Sequence, residues 1–334
     1  MVLLGGALLT HAVAAAASSQ DAFLRELFTL SAGDLQHVHA GRAIARTLPA
    51  SDNREVALFG VVRIPVSPDV YVRRMQSLTL LRAGDDVLAV GSFSRPPRLD
   101  DLGALELDAA DRRELRRCGA GDCDIRLPAG AIGRFRNDVH WDAPGAPRDA
   151  AVAMRQVIRD VVATYRQTGA QPVYESKERR TSVASEFRDL AESDQVVLPQ
   201  FPLVRRNLLT SSADGLVADQ IYWMRAKIGP KRVVTVTHLT IAHTDARTPV
   251  KYVAASRQIY ADYYFDASLG LTLLLDDVSA GAPATLVVYV NRSRVNAFHG
   301  ILGGITRRIV RSRARSALEH HLQELQRLVM DRAL

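Results

Sequence analysis

The sequence predicts an α+β fold in which a curved antiparallel sheet grips a long C-terminal helix, with a helical excursion in the middle of the chain. Three observations carry that prediction. β-branched and aromatic residues concentrate between Arg232 and Arg294, in runs joined by short turns, so successive strands should pair antiparallel as a meander. After Gly300, Gly303 and Gly304 the pattern becomes one amphipathic, arginine-rich helix running to the C-terminus. Between about residues 129 and 210, helical periodicity replaces strand alternation.

The elements follow in order. Residues 2–17 are an uncharged run of small and apolar residues ending in alanines, followed by Ser18, Ser19, Gln20 and Asp21. This resembles the apolar core and cleavage site of a secretory signal over residues 1–19, although no Lys or Arg precedes Arg25 to form the basic start. A secreted or periplasmic mature chain of residues 20–334 is expected, with a buried N-terminal helix as the alternative. The run is shorter than the roughly 20 apolar residues a membrane span needs. Phe23, Leu24, Leu27 and Phe28 predict a short helix over 21–30. Strands are expected over 37–48 and over 55–65, where Val56, Leu58, Gly60, Val62 and Ile64 alternate with other residues. Ser67 as N-cap and Pro68 in the first turn open a helix over 69–81. A strand over 87–93, a loop over 95–101 and a polar helix over 108–117 follow.

Cys118 and Cys123 flank Gly119 and Gly121, and they are the chain's two cysteines. Across a glycine-rich turn in an exported chain, such a pair reads as a structural disulfide. Helices are then expected over 129–136, 150–167 and 183–191, with loops around Pro144, Pro147, Pro172, Pro199 and Pro202. Strands return over 233–243, 252–265, 269–275 and 285–291, with turns at 244–248, 266–268 and 279–283. Leu302, Ile305, Ile309, Leu318, Leu322, Leu325 and Val329 form the apolar stripe of the closing helix, and Arg307, Arg308, Arg311, Arg313 and Arg315 fill the rest of its first half. No linker divides the chain, so one domain over 20–334 with a helical insertion at about 129–210 is expected, with two separate domains as the alternative.

Composition supports a globular chain: 47% of its 334 residues are hydrophobic, enough for a sizeable core. The formal charge of +7 comes mostly from arginine and suits an acidic partner. Export disfavours nucleic acid and leaves anionic membrane lipid, with which Arg307, Arg308, Arg311 and Arg315 would make transient contact. The alternative is that they form a solvated helix face.

Residues 55–81, a strand running through Ile64-Pro65-Val66-Ser67-Pro68-Asp69 into a helix, resemble the opening of the START-like superfamily of helix-grip lipid and hydrophobic-ligand binders. The tail from Tyr289 through Gly303-Gly304 is similar to that superfamily's last strand and closing helix. The strand-rich tail also resembles segments of uncharacterised exported bacterial proteins. The superfamily resemblance implies a tunnel between sheet and helix that holds a lipid or other hydrophobic small molecule. Tyr222, Trp223, His238, Tyr260, Tyr263 and Tyr264 are the ligand-binding candidates, because aromatic side chains combine apolar faces with a hydrogen-bonding tip. Ordinary packing is the competing reading for each.

Sharper chemistry finds no support in the sequence. His37 and His39 share a face of the expected strand, and His238 and His243 lie close in sequence, but no carboxylate or cysteine completes a ligand set, so no metal and no cofactor are implied. His320 and His321 adjoin on the closing helix and are expected in solvent. There is no G-x-S-x-G elbow, phosphate-binding loop or H-E-x-x-H, and no catalytic residue is assigned. An exported non-enzymatic carrier of a hydrophobic ligand is thus the leading expectation. The alternatives are an enzyme using Asp262, Asp266, His238 and Tyr260 in the same cavity, and a structural envelope protein with a filled core. Nothing in the sequence sets an oligomeric state.

Overall fold

The computed structural model describes residues 19–119, 122–128, 130–175, 180–210, 215–244, 248–277, 282–296 and 303–331. Residues 1–18 of the expected signal, together with Gly300 and Leu302, lie outside the described residues.

Local sequence sets the first elements. A helix over residues 19–28 (α1) buries Leu24 and Phe28. The next segment corrects an expectation, because residues 37–39 end a helix, α2 (Ala32–His39), instead of opening a strand. Ser31 accepts from the Asp34 backbone N–H while Asp34 accepts from the Ser31 N–H, a capping box that overrides the strand-like alternation. His37 and His39 therefore share no strand face. The strand itself is the short β1 (Ile44–Thr47), antiparallel to β2 (Glu55–Ile64). Ser67 caps α3 (Pro68–Gln76), after which Leu78, at φ 56°, turns the chain into a 3-10 segment, so the expected single helix is two pieces. β3 (Val87–Ser92) and α4 (Ala109–Arg117), capped by Asp108, match the expectation.

The middle of the chain contains α5 (Ile132–Asn137), α6 (Ala146–Thr168), a hairpin of β4 (Val173–Glu175) and β5 (Arg180–Ser182), α7 (Val183–Ser193) and α8 (Pro202–Thr210). Both the hairpin and α8 lie where no element was expected. Pro202 suits the first turn of α8, where a missing N–H costs nothing. Long strands follow: β6 (Leu216–Ile228), β7 (Lys231–His243), β8 (Val250–Ala261), β9 (Phe265–Asp277) and β10 (Ala284–Val295), and then α9 (Gly303–Asp331). β6 was not expected, because Asp219, Arg225 and Lys227 interrupt its apolar pattern. Two of these charges are matched from neighbouring elements, Asp219 by His238 at 2.8 Å and Arg225 by Asp111 at 2.7 Å. The turn expected at 266–268 lies earlier. β8 stops at Ala261, Asp262 accepts the Val234 N–H at 2.8 Å, and Tyr264 reverses the chain at φ 61°, leaving Ala267 and Ser268 paired with β10.

The sheet runs in the order β1-β2-β10-β9-β8-β7-β6-β3, with every pairing antiparallel. Helices cover both of its faces. On one face Val62, Ile64, Leu239, Ala254, Leu274 and Val287 pack beneath α3 and α9. On the other, Phe59, Val61, Leu271 and Leu273 pack under α1, α2, α7 and α8, while Ile221, Val236 and Ile259 pack under α4, α5 and α6. Burial on both sides explains why β2, β9 and β10 read as near-continuous apolar runs.

In α9 the residues Leu318, Leu322, Leu325 and Val329 bury as expected, but Ile309 is 47% exposed. Steps of four carry the inward stripe from Leu318 back through Ala314 to Val310, which pack on the core in its place. The helix approaches β2 closely at Gly60, where an added Cβ would lie 2.6 Å from Leu322 Cδ1. Cys118 and Cys123 are disulfide-bonded with Cα atoms 4.7 Å apart, fixing the turn after α4. Among the described residues no helix is long and apolar enough to cross a membrane.

Candidate functional site

A cavity of about 180 Å³ lies between α3, α9 and the sheet. Its walls are mostly apolar, with Met75, Leu80, Leu239, Val287, Leu318 and Leu322 among them, and its polar groups are Tyr71, Tyr222, Tyr289, Ser256, Thr272 and His321. Strand register assembles the polar floor. Tyr289 stands opposite Thr272, Thr272 opposite Ala254, and Ser256 two residues further along the same face. Gly270, paired with Ser256, leaves room for the Tyr289 ring, since a Cβ there would sit 3.4 Å from the Tyr289 hydroxyl. Asn291 donates to that hydroxyl from two residues along β10, at 3.3 Å.

The lining is neutral. Burial raises the Tyr71 phenol well above its usual range, and it pushes Tyr222 up to about 12 against an opposing hydrogen bond with Thr237. Tyr289 is raised for the same reason. His321 is lowered, first by burial and then by the neighbouring His320, so its imidazole is uncharged near pH 7. Among the described residues no carboxylate, lysine or arginine lines the cavity. Such a lining suits an apolar body that carries a hydroxyl or carbonyl, and among the described residues it offers no counter-ion for a charged group.

The structure brings one of the six expected ligand residues, Tyr222, into this cavity. Trp223, adjacent on β6, points to the opposite face and donates its indole N–H to Asp101 O at 2.8 Å. His238 also faces away, held between Tyr165 and Asp219 at 2.8 Å each. Tyr260 is fully buried under α4, α5 and α6 and donates to Arg126 O at 2.9 Å. Tyr263 is buried beside Asp111, and Tyr264 occupies the left-handed turn. Aromatic content marked these positions, but strand parity and the turn at 262–264 decide where they point.

Sequence reading missed Tyr71, Tyr289 and His321. His321 corrects the expectation of a solvated histidine pair. It lies three residues after Leu318 and four before Leu325, on the buried stripe, whereas His320 stays exposed. The same spacing rule in α3 puts Tyr71 four residues before Met75 in the wall.

The alternative acid–base group does not converge. Asp262 accepts a backbone N–H of β7, Asp266 is buried between Arg54 at 3.2 Å and Arg126 at 2.8 Å, and His238 lies elsewhere on the sheet with Asp219. Burial raises Asp262 well above the usual carboxylate range. Among the described residues no group of three or more His, Cys, Asp or Glu side chains is placed to hold a metal.

The arginines at the start of α9 line an open groove of about 450 Å³ together with Thr47 and Ser312. Arg307 donates to Asn53 at 3.0 Å and Arg311 to the Glu55 carbonyl at 2.9 Å, so both help dock the helix. Arg308 and Arg315 are exposed.

Comparison with known proteins adds little. No protein-family model matches the chain, and no curated protein matches it. Among solved structures, that of TTHA0849 from Thermus thermophilus aligns with 46% of this chain and 93% of its own at 14% identity, with a TM-score of 0.27, too low to carry an inference about fold or function.

Proposed function

We propose that this chain is an exported, non-enzymatic binder or carrier of a neutral hydrophobic ligand with one polar end, held between the sheet and α9. The observation that carries the reading is the uncharged cavity between sheet and helix, which places three phenols, two alcohols and a neutral imidazole among apolar walls. A START-like helix grip is part of the proposal. Its support is that β2 and β10, which lead into α3 and toward α9, are neighbours in the sheet, and that both helices cover the same face.

Volume narrows the ligand class. An engineered apolar cavity of about 150 Å³ accepts benzene, and drug-sized pockets begin at roughly 300 Å³. At about 180 Å³ the resting cavity fits a single-ring phenol or a short-chain alcohol, and a full acyl lipid would require α9 to move. The exposed Arg308 and Arg315 at the start of the same helix support transient contact with an anionic membrane surface. The disulfide and the signal-like residues 1–19 support secretion or a periplasmic location.

Native mass spectrometry of the protein purified from its own envelope fraction, with organic extraction, tests the reading. One small neutral compound per chain is expected, displaced when Ser256→Phe fills the cavity. A bare mass that persists after incubation with single-ring phenols and with host lipids would contradict it.

A further inference from the structure

Five arginines are buried among the described residues, and four of them meet a carboxylate. Arg126 pairs with Asp266 at 2.8 Å, Arg225 with Asp111 at 2.7 Å, Arg292 with Glu55 at 2.5 Å and Arg294 with Glu186 at 2.8 Å. Such pairing is what the cost of desolvating a guanidinium requires. Arg257 is the exception. It is only 7% exposed, yet its partners are neutral: Gln171 Oε1, which accepts from both Nε and Nη2, and the Leu208 carbonyl, which accepts from Nη1 at 3.0 Å. The rings of Phe187 and Tyr165 lie 4.6 and 5.6 Å from its guanidinium carbon. No carboxylate pairs with it among the described residues.

Arg257 lines a polar pocket of about 210 Å³ on the sheet face opposite α9, between the ends of α6 and α8 and the side of α7. Arg188, Thr168 and Thr210 line the same pocket. Burial disfavours the Arg257 charge, the Tyr165 hydroxyl works against that, and the nearby Arg188 adds to it. The carbonyl ends of α6 and α8 offset part of the two arginine charges. A guanidinium has five N–H donors. Three are taken by Gln171 and Leu208, which leaves two for the Tyr165 hydroxyl and a ligand.

We propose that this pocket binds a small oxyanion, a carboxylate or phosphate group, on the Arg257 N–H left by Gln171, Leu208 and Tyr165, with Arg188 at the rim. The site is separate from the neutral cavity under α9 and does not depend on it. The anion supplies the counter-charge that the other buried arginines among the described residues receive from the chain, and the pocket's size limits it to a small molecule or a single anionic group.

Isothermal titration of the full chain with sodium acetate and with inorganic phosphate, against chloride at matched ionic strength, tests this. Saturable binding of at least one oxyanion is expected, and the arm that binds identifies the group. Arg257→Lys keeps the charge but loses the planar guanidinium that bonds Gln171, Leu208 and the anion at once, and should weaken binding about tenfold. The surface change Arg188→Gln, which spares the core, should weaken it about two- to fivefold. Heats no different from chloride in both arms would overturn the proposal. So would oxyanion binding unchanged in Arg188→Gln and in a folded Arg257→Lys, because the anion would then sit elsewhere on this basic protein.

Discussion

Protonating His321 would place a charge among neutral phenols and apolar side chains under α9. Its folded pKa is depressed, so the neutral imidazole contributes stability that is present above the unfolded value of about 6.5 and is lost as pH falls below it. Wild-type melting temperature should therefore drop more steeply between about pH 6.5 and 5 than that of His321→Gln. Identical slopes would mean that the imidazole is hydrated in the fold. Asp266 behaves differently, because it is wholly buried and counters both Arg54 and Arg126. Asp266→Ala leaves two guanidiniums short of a partner and should cost about 3–5 kcal/mol in urea denaturation. A loss below about 1 kcal/mol would show that the remaining acidic neighbours suffice.

At the level of elements, the contact between α9 and β2 depends on Gly60. Valine there would meet Leu322 and Leu318 and lift the helix, so Gly60→Val should cost about 1–3 kcal/mol and expose α9 to limited proteolysis. Ser31→Ala removes the cap of α2 and should cost about 1 kcal/mol with little effect on the cavity. Several elements were legible in the sequence: β2 from its alternation, although both of its faces are buried, β10 from its β-branched run, α3 from Ser67 and Pro68, and the second half of α9 from its leucines. Elements whose pattern is broken by charges with distant partners were not. β6 carries Asp219 and Arg225, whose partners His238 and Asp111 come from other elements, so local sequence gives no reason for those charges to sit in a strand. α2 was hidden by a cap whose two residues are individually unremarkable in sequence.

Over the whole molecule, one sheet separates two helical layers, and each layer holds a different pocket. The cavity under α9 is neutral, and the pocket between α6 and α8 is basic. The presence of a sheet–helix cavity was legible from element order, but its lining was mostly not. Which tyrosine enters a cavity depends on strand parity and on the exact turn between β8 and β9, and a one-residue slip moves every side chain to the other face. Tyr222 was found and Tyr289 missed for that reason.

The space under α9 is proposed to receive a neutral ligand. Methyl-resolved NMR titration with 4-ethylphenol tests it most directly, reading Leu239, Val287, Leu318, Leu322 and Leu325, whose side chains form the walls. Saturable shifts confined to these methyls and their neighbours are expected, and they should be lost in Ser256→Phe. Unshifted wall methyls at saturating phenol, or shifts that survive Ser256→Phe unchanged, would contradict it.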